Sequence, residues 1–297
     1  MALRLLDDRQ RVVVFPRPPR RIVSLVPSDT LSLFALGAGE RVVGRTRYCV
    51  APEGLVEQIP LVGGTKDVDV AAVAALQPDL ILANQEENAR PAINQLLQLG
   101  LPVWVAFPRT VAEGIGLLGR LARILGLEGD ARVRELIRRG YTALREAEAA
   151  RAQREPVAAF VPIWMDPLMT ISGETFVNDA LFQAGARNVF EGRKRRYPLA
   201  ADLGRGEELP ADQTGERDTR YPRITLTEVE QRAPRIILLP DEPHPFSESD
   251  AEVFRAQQTP AARDGRVRLC GGRDLTWYGA QSVEGLPRLR ALIDSLR

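Results

Sequence analysis

The chain has 297 residues, with 40 Lys and Arg against 39 Asp and Glu, one His and two Cys. A formal net charge of +1 argues against a nucleic-acid-binding protein, which usually carries a basic surplus. One His and two Cys exclude a His- or Cys-rich metal site. Hydrophobic residues make up 44% of the chain, enough for a large core, and the length suggests about two domains.

The beginning of the sequence contains no apolar run of leader length, and no later window reaches the roughly 18 apolar residues of a membrane span. As written, the sequence therefore predicts a cytoplasmic protein with no membrane-spanning segment. If a leader was removed, the same chain belongs in the periplasm or outside the cell. The two cysteines, Cys49 and Cys270, are far apart in sequence and fit a reducing compartment.

The first half of the chain alternates strand and helix patterns. A short apolar run at 21–26 predicts a strand that ends at Pro27, and Ser28 or Asp29 is a candidate cap for a helix over 30–36. Strands that alternate with helices indicate a parallel sheet with crossover helices, whose ligands lie beyond the carboxyl ends of the strands. The further segments are helices at 69–76 and 92–99 and strands at 79–83 and 103–107.

The middle of the chain is predicted to be helical. Thr110 and Glu113 have capping-box spacing and predict a helix that ends at Gly126. Apolar residues then recur at three- and four-residue steps over 130–154. This second helix is either an ordinary amphipathic surface helix or a rigid strut that joins two lobes.

After Pro156 a second α/β series begins. Residues 191–223 are rich in charged residues, Gly and Pro, and they predict a long loop that is either functional or mobile. Two pairs with capping-box spacing, Thr225 with Glu228 and Ser249 with Glu252, predict helix starts. The remaining predicted elements are strands at 157–161, 169–171, 235–239 and 267–269 and helices at 176–184 and 283–296.

The predicted fold class is therefore α/β, with two Rossmann-like lobes of mainly parallel sheet joined by one long backbone helix. The amino-terminal lobe is assigned to 1–127, the connecting helix to 128–155 and the carboxyl-terminal lobe, with its polar loop 191–223, to 156–297.

Catalytic patterns are weak. The segment 241–246 places Asp241, Glu242 and His244 directly after a predicted strand. Three interpretations stay open: a metal or proton-transfer site, a loop stiffened by prolines, or a ligand contact without chemistry. The sequence contains no G-x-S-x-G, Walker or H-E-x-x-H motif. The basic run 193–196 is either a solvated loop or an attractor of ligand carboxylates or phosphates.

Aromatic residues are few, at 6% of the chain, and several follow predicted strands or loops. Tyr48, Trp164 and the pair Trp277 and Tyr278 have this placement. Each alone fits ordinary packing, but together they favour a cleft for a large, partly apolar ligand.

Several segments, taken in order, resemble the solute-binding proteins of ABC importers for cobalamin, ferric siderophores and haem, the helical-backbone metal-receptor superfamily. The match covers nearly the whole chain. The segments that carry it are 21–28, 36–46, 62–66, 76–84, 86–88, 102–105, 195–204, 241–243 and 277–279.

This resemblance implies a binding protein rather than an enzyme, with a metal chelate held between two lobes and no intrinsic cofactor. A corrinoid is favoured over a ferric siderophore or haem. The protein would wrap the organic chelate and seldom bind the metal itself. Carried over by position, the ligand-binding residues are Pro27, Ser28, Tyr48, Gln85, Glu86, Trp164, Glu242, Trp277 and Tyr278.

The resemblance also implies docking to an ABC permease through one acidic residue on each lobe. Glu228 matches in the second lobe, whereas the first-lobe position reads Ala71, with Asp67 and Asp69 nearby. Many relatives carry an Arg where this chain has Gln281, which removes a possible anion clamp.

Two alternatives come from other classes. One is a cytosolic enzyme of corrinoid or metal-cofactor metabolism on the same fold, motivated by the missing leader and by the loop around His244. The other is an intracellular ligand sensor that meets a protein partner through loop 191–223.

Overall fold

Two four-stranded parallel sheets organise the chain, each in its own compact unit. The computed structural model describes residues 2–215 and 217–297. The first unit comprises the residues up to Pro108 together with Ala112–Thr142 and Trp277–Val283. The second comprises Arg109–Val111, Ala143–Thr276 and Glu284–Arg297.

The bounds of the strands and helices are as follows. The strands are β1 Leu3–Leu6, β2 Val12–Phe15, β3 Ile22–Ser24, β4 Val42–Arg45, β5 Leu80–Asn84, β6 Val103–Ala106, β7 Val157–Phe160, β8 Pro162–Met165, β9 Leu168–Thr170, β10 Ala186–Asn188, β11 Ile236–Pro240 and β12 Val267–Cys270. The helices are α1 Pro27–Ala35, α2 Val70–Ala75, α3 Arg90–Gln98, α4 Val111–Leu125, α5 Ala131–Arg151, α6 Phe176–Gln183, α7 Leu199–Asp202, α8 Ala211–Thr214, α9 Leu226–Arg232, α10 Glu248–Arg255, α11 Pro260–Arg263, α12 Arg273–Thr276 and α13 Ala280–Ser295.

The two sheets share one strand order. In the first unit the order is β4-β3-β5-β6, and in the second it is β10-β7-β11-β12, with every neighbouring pair parallel. From one edge to the other, each sheet therefore contains its second strand in the sequence, then its first, its third and its fourth. Each unit adds one antiparallel hairpin, β1–β2 in the first and β8–β9 in the second. The predicted fold class, two α/β lobes with mainly parallel sheets, is confirmed.

The central strands are buried on both faces, because helices cover a parallel sheet from both sides. All five residues of β5 and all five of β11 are buried. In the second unit Phe160 packs its ring 5.3 Å from that of Phe190 and 5.8 Å from that of Phe254. This continuous apolar character explains why these strands were readable from sequence.

The predicted long helix is α5, whose buried residues include Val133, Leu144 and Ala147. At about 1.5 Å per residue, its 21 residues extend over roughly 32 Å. Its residues up to Thr142 cluster with the first unit, and those from Ala143 onward cluster with the second.

Two helix starts differ from the sequence-based expectation. Helix α1 begins at Pro27, with Val26 as its N-cap, so Ser28 and Asp29 lie inside its first turn. Proline suits this position because the first turn has no intrahelical partner for its N–H. Helix α10 is capped by Ser247, whose capping box uses Asp250 and not the predicted pair two residues later.

The polar loop 191–223 is more ordered than its composition suggests, because it contains α7 and α8 and is anchored from within. The Arg193 guanidinium is buried and donates to Asp202 Oδ1 and to Glu228 Oε1, both at 3.0 Å. Arg193 also donates to the backbone oxygen of Arg223, so both ends of the loop are held together.

Among residues 2–215 and 217–297, no helix combines the length and the apolar character that crossing a bilayer requires.

Candidate ligand-binding loops

In each sheet the first strand lies between strands whose connections leave in opposite directions. The first unit has this switch point at β3 and β5, and the second has it at β7 and β11. Ligands of open α/β sheets bind beyond the carboxyl ends of the strands at such points. The residues that follow these four strands are therefore the candidates for ligand contact.

In the first unit, β3 is followed by Pro27 and Ser28, and β5 by Gln85 and Glu86. The structure thus brings these four predicted residues to one edge of one sheet. Pro27 and Glu86 are half-buried, Gln85 is exposed and Ser28 is buried.

Two asparagines shape the turn after β5. Asn84 Oδ1 accepts from the backbone N–H groups of Glu86 and Glu87, at 2.7 and 3.1 Å. Asn88 Oδ1 accepts from the N–H of Asn84 at 2.8 Å, and its Nδ2 donates to the backbone oxygens of Leu25 and Thr65. The asparagines therefore tie three loops of the first unit together, which presents the side chains of this turn in a fixed arrangement.

Charged groups at this edge are mostly acidic. The Glu87 side chain is exposed, but desolvation by the surrounding protein raises the pKa of its carboxyl. The positive charge of Lys66 opposes this rise. The Lys66 ammonium donates to the backbone oxygen of Glu86 at 2.5 Å. Sequence reasoning did not name Lys66 or Glu87 as ligand-binding residues, although both lie inside segments that carry the resemblance, 62–66 and 86–88.

Tyr48 is 53% exposed, which suits an open aromatic wall. It lies in the turn after β4, with the Arg47 guanidinium 5.8 Å from its ring centre. Arg47 in turn makes two hydrogen bonds to Asp67, at 2.8 and 3.0 Å. This ion pair lowers the pKa of Asp67 and, being exposed, partly neutralises the charge next to Tyr48.

Trp277 and Tyr278 belong to the first unit and are buried, at 7% and 5% exposed. The Tyr278 hydroxyl accepts from Asn84 Nδ2 at 3.1 Å. Next to it, the backbone N–H of Ala280 donates to Ser32 Oγ on α1 at 3.1 Å. These rings therefore pack inside the first unit, beneath the loops, and are not open walls in this structure.

The second unit places Trp164 on β8, just after β7, and His244 just after β11. Trp164 is 44% exposed, and its Nε1 donates to the backbone oxygen of Asp166 at 3.0 Å. Its ring centre lies 5.4 Å from that of His244, which lies 4.6 Å from that of Phe246, both edge-on. The His244 loop is thus an aromatic cluster that extends the Trp164 surface.

The acidic residues of the same loop also make contacts within their own unit. Asp241 Oδ1 accepts from the N–H of Gly272 at 2.6 Å, and Glu242 Oε1 accepts from the Thr276 hydroxyl at 2.6 Å. A side chain at Gly272 would collide with Glu242, since a Cβ there would come within 2.5 Å of it. These contacts join the end of β11 to α12 and hold Glu242 half-buried at the switch point.

The structure does not assemble the Asp241, Glu242 and His244 metal or proton-transfer cluster that sequence left open. His244 Nε2 lies 4.0 Å from Asp250 Oδ2, and Asp250 is occupied with the cap of α10. Within the described part of the chain, His, Cys, Asp and Glu side chains form no group of three or more that is arranged to hold a metal ion. Both cysteines are free thiols.

Glu228, the candidate docking residue, lies in the first turn of α9 and is held by two arginines. It accepts from Arg193 at 3.0 Å and from Arg232 at 3.4 Å. Its backbone N–H donates to the Thr225 hydroxyl at 3.2 Å, which is the helix cap that the sequence predicted. The neighbouring basic run is paired internally, with Lys194 2.7 Å from Glu174.

Comparison with known proteins identifies the family of this chain. Residues 22–273 match the family described as "Periplasmic binding protein", and the chain belongs to it.

Among curated proteins, the chain is 28% identical over 179 residues to the vitamin B12-binding protein of Yersinia pestis (strain Pestoides F). The vitamin B12-binding protein of Yersinia pseudotuberculosis serotype O:1b (strain IP 31758) matches to the same degree. These matches cover 60% of this chain and 62% of the relatives, so the chain spans less than two thirds of their length.

Solved structures share the fold over nearly the whole chain. The periplasmic vitamin B12-binding protein BtuF of Vibrio cholerae has a TM-score of 0.73 at 17% identity, covering 94% of this chain and 98% of that one. The periplasmic haem-binding protein RhuT from Roseiflexus sp. RS-1, in apo form, has a TM-score of 0.72 at 18% identity, covering 94% and 99%. All of these relatives are binding proteins by name, and none is an enzyme. This agrees with the prediction of a binding protein.

Proposed function

We propose that this protein is a solute-binding protein that holds a metal chelate, with a corrinoid favoured, for uptake by an ABC-type importer. The observation that carries the proposal is the position of the predicted residues. Pro27, Ser28, Gln85 and Glu86 follow the switch-point strands of the first sheet. Trp164 and Glu242 follow those of the second. That the chelate lies between the two lobes stays a prediction.

The exposed aromatic surfaces support a large ring-bearing ligand. Tyr48 and Trp164 each leave about half of their surface in water, although aromatic side chains are usually well buried. A macrocycle that stacks on such a ring removes apolar area from water, which contributes roughly 25 cal/mol per Å². Trp277 and Tyr278 contribute by supporting the loops from beneath.

The charges favour a corrinoid over haem or a catecholate siderophore. The side chains at the switch points include Glu86, Glu87, Asp241 and Glu242 against Lys66. Carboxylates accept hydrogen bonds from the amide side arms of a corrinoid, whereas they repel the carboxylates of haem. The 28% identical relatives named for vitamin B12 support the same order of ligands.

Membership in the periplasmic binding protein family supports work outside the cytoplasmic membrane and delivery to a permease. Docking through Glu228 is part of the proposal. Because Arg193 and Arg232 already hold this carboxylate, a permease arginine has to share it or replace Arg232.

The direct test is titration of the purified chain with cyanocobalamin, haemin and a ferric tris-catecholate, followed by tryptophan fluorescence and by the melting temperature. We expect cyanocobalamin to quench fluorescence and raise the melting temperature most. Trp164→Ala and Tyr48→Ala each weaken binding about tenfold, because each removes one stacking surface.

Leu99→Ala is the matched control, since Leu99 is also large and exposed but follows α3 and precedes β6, at the opposite edge of the sheet. No response to any of the three chelates contradicts the proposal. Equal losses in all three variants contradict the assignment of the site.

A further inference from the structure

The second unit has an open cleft at the edge of its sheet where β7 and β10 begin. Arg154 lies three residues before β7, Gly185 directly precedes β10, and both line the cleft. Its volume is about 230 Å³, including its open mouth. Among the described residues that line it, the charged ones are Arg151, Arg154, Arg290, Arg297 and Asp294. The candidate ligand-binding loops follow the other ends of the parallel strands, so this arginine cleft is a separate site.

Two of the four arginines have structural roles. Arg297 Nε donates to Asp294 Oδ1 at 2.8 Å, and Arg154 lies 3.3 Å from the same oxygen. The two Nη groups of Arg297 donate to the backbone oxygens of Glu155 and Gly185, at 2.9 and 3.1 Å. Basic side chains often bind backbone oxygens near the carboxyl ends of helices in this way. Helix capping therefore accounts for Arg297, and an ion pair accounts for Arg154.

Neither explanation applies to Arg151 and Arg290. Both are half-buried, and neither forms an ion pair with any residue that the structure describes. The Arg151 guanidinium lies 3.9 Å from the centre of the Phe182 ring, and its Nε is buried without a hydrogen-bond partner among the described residues. A buried charged group of this kind is costly unless it is paired. These two arginines therefore favour an anion as the missing partner.

One buried acceptor in the arginine cleft also lacks a donor. Gln183 Oε1 is buried and accepts no hydrogen bond from any described residue, whereas its Nε2 donates to Asp179 Oδ1 at 3.3 Å. That bond decides which end of the amide is the oxygen, because a carboxylate only accepts. A ligand that satisfies this cleft accepts hydrogen bonds from guanidinium groups and donates one to Gln183.

The ends of α5, α6 and α13 lie near the cleft, and helix carboxyl ends disfavour anions. Each end carries only about half a negative charge, and the effect falls off within one turn. The described lining residues supply four full positive charges against the single carboxylate of Asp294. The balance of charge therefore still attracts an anion.

We propose that the arginine cleft binds a phosphate ester that also carries a hydroxyl group. A guanidinium presents its N–H donors in a planar fork that pairs with phosphate oxygens two at a time. A phosphate monoester carries a charge of about −1.5 to −2 at pH 7, which suits several arginines better than one carboxylate does. The hydroxyl is the donor for Gln183 Oε1. This site does not depend on the proposed function.

The same chemistry occurs in a free glycerol or sugar phosphate and in the headgroup of phosphatidylglycerol. Calorimetric titration of the full chain with glycerol 3-phosphate tests the first source. Co-sedimentation with phosphatidylglycerol vesicles, compared with phosphatidylcholine vesicles, tests the second. Binding in either arm supports the proposal and identifies the source. Failure of both arms overturns it, as does sulfate binding as tightly as glycerol 3-phosphate, because sulfate has no hydroxyl for Gln183.

Variants show whether the arginine cleft is responsible. We expect Arg151→Gln with Arg290→Gln to weaken binding about tenfold or more, because it removes hydrogen bonds between charged groups. Arg123→Gln with Arg134→Gln is the matched control, since it removes the same charge from exposed positions of the first unit. The control should change the dissociation constant by less than about twofold. Equal losses in the two double variants overturn the proposal.

Hydrogen exchange of the wild-type chain locates the site without any variant. Saturating glycerol 3-phosphate, or phosphatidylglycerol vesicles if only these bind, should slow exchange in peptides covering 147–154 and 290–297. A peptide covering 84–88, in the candidate ligand-binding loops, should show no change. Protection confined to 84–88, or no protection at 147–154 and 290–297, refutes the site. None of these probes is a metal chelate, so the result is independent of the chelate titrations.

Discussion

At the scale of single residues, Asn84 and Asn88 do most to organise the candidate site. Their side-chain amides make hydrogen bonds to backbone groups of three loops and to the Tyr278 hydroxyl. Such bonds satisfy backbone groups that would otherwise be buried without partners. Their position at the end of a buried strand was visible in sequence, but their partners, which lie up to 194 residues away, were not.

Gly279 offers a test of the tight approach between the turn 277–279 and α1. Gly279→Ala places a Cβ in a left-handed conformation and against Ser32 Oγ, which is itself hydrogen-bonded to the backbone oxygen of Ser28 at 2.8 Å. We expect the free energy of unfolding, measured with urea, to fall by about 3 kcal/mol, the sum of a conformational and a steric cost.

Gly265→Ala is the matched control. Gly265 has a similar φ of +65°, but a Cβ there meets no atom within 4 Å. This variant carries only the conformational cost, about 1 kcal/mol. Equal losses in the two variants contradict the importance of the contact with Ser32.

At the scale of elements, segment 191–223 is more ordered than its composition predicts. It has few apolar residues, which is typical of a loop, but the buried Arg193 holds its two ends together. Buried charges of this kind leave no hydrophobic pattern, because the stabilising groups are themselves polar and far apart in sequence.

Arg193→Ala tests this anchor. It leaves the Asp202 carboxylate buried without its counter-ion, since the Asp202 side chain is fully buried in the pair. We expect a loss of about 3–5 kcal/mol in the free energy of unfolding and faster proteolysis within 194–222. Arg196→Ala removes an exposed pair to Glu208, at 3.6 Å, and should change stability by less than about 1 kcal/mol. Unchanged proteolysis in Arg193→Ala contradicts the anchor.

Prediction from sequence succeeded where local pattern and burial agree, as in β5, β11 and α5. It misplaced the start of α1, because Ser28 and Asp29 are residue types that often cap helices. In the structure the helix starts earlier, at Pro27, so both residues lie in its first turn. It also missed the hairpin β1–β2, whose outward residues Leu6, Val12 and Val14 are exposed, so its strands lack the usual polar alternation.

At the scale of the whole molecule, the repeated strand order is the main regularity. Both sheets place their first strand beside their third, and both therefore create a switch point with polar and aromatic residues beyond it. The family resemblance names residues at these points as ligand-binding, and that assignment stays a prediction. The sequence did not predict that Trp277 and Tyr278 are buried, because tertiary packing decides that.

The acidic character of the switch points predicts ligand choice. Replacing Glu86 and Glu87 together by Gln should strengthen binding of haemin relative to cyanocobalamin several-fold at low ionic strength, because it removes repulsion of the haem carboxylates. Glu252→Gln, on α10, should leave the ratio unchanged. The readout is the ratio of the two dissociation constants by fluorescence titration. A ratio that stays constant in the double variant contradicts the role assigned to these charges.

The residues Trp277–Val283 complete the first unit, although they come more than 130 positions after its other segments. During synthesis at about 5–20 residues per second, the ribosome needs on the order of ten seconds to add the intervening chain. For that interval Asn84 at the end of β5, which bonds Tyr278, and Ser32 on α1, which bonds Ala280, lack these partners in the nascent polypeptide. The first unit can therefore mature only after residue 283 has left the ribosome, however early its other segments were made.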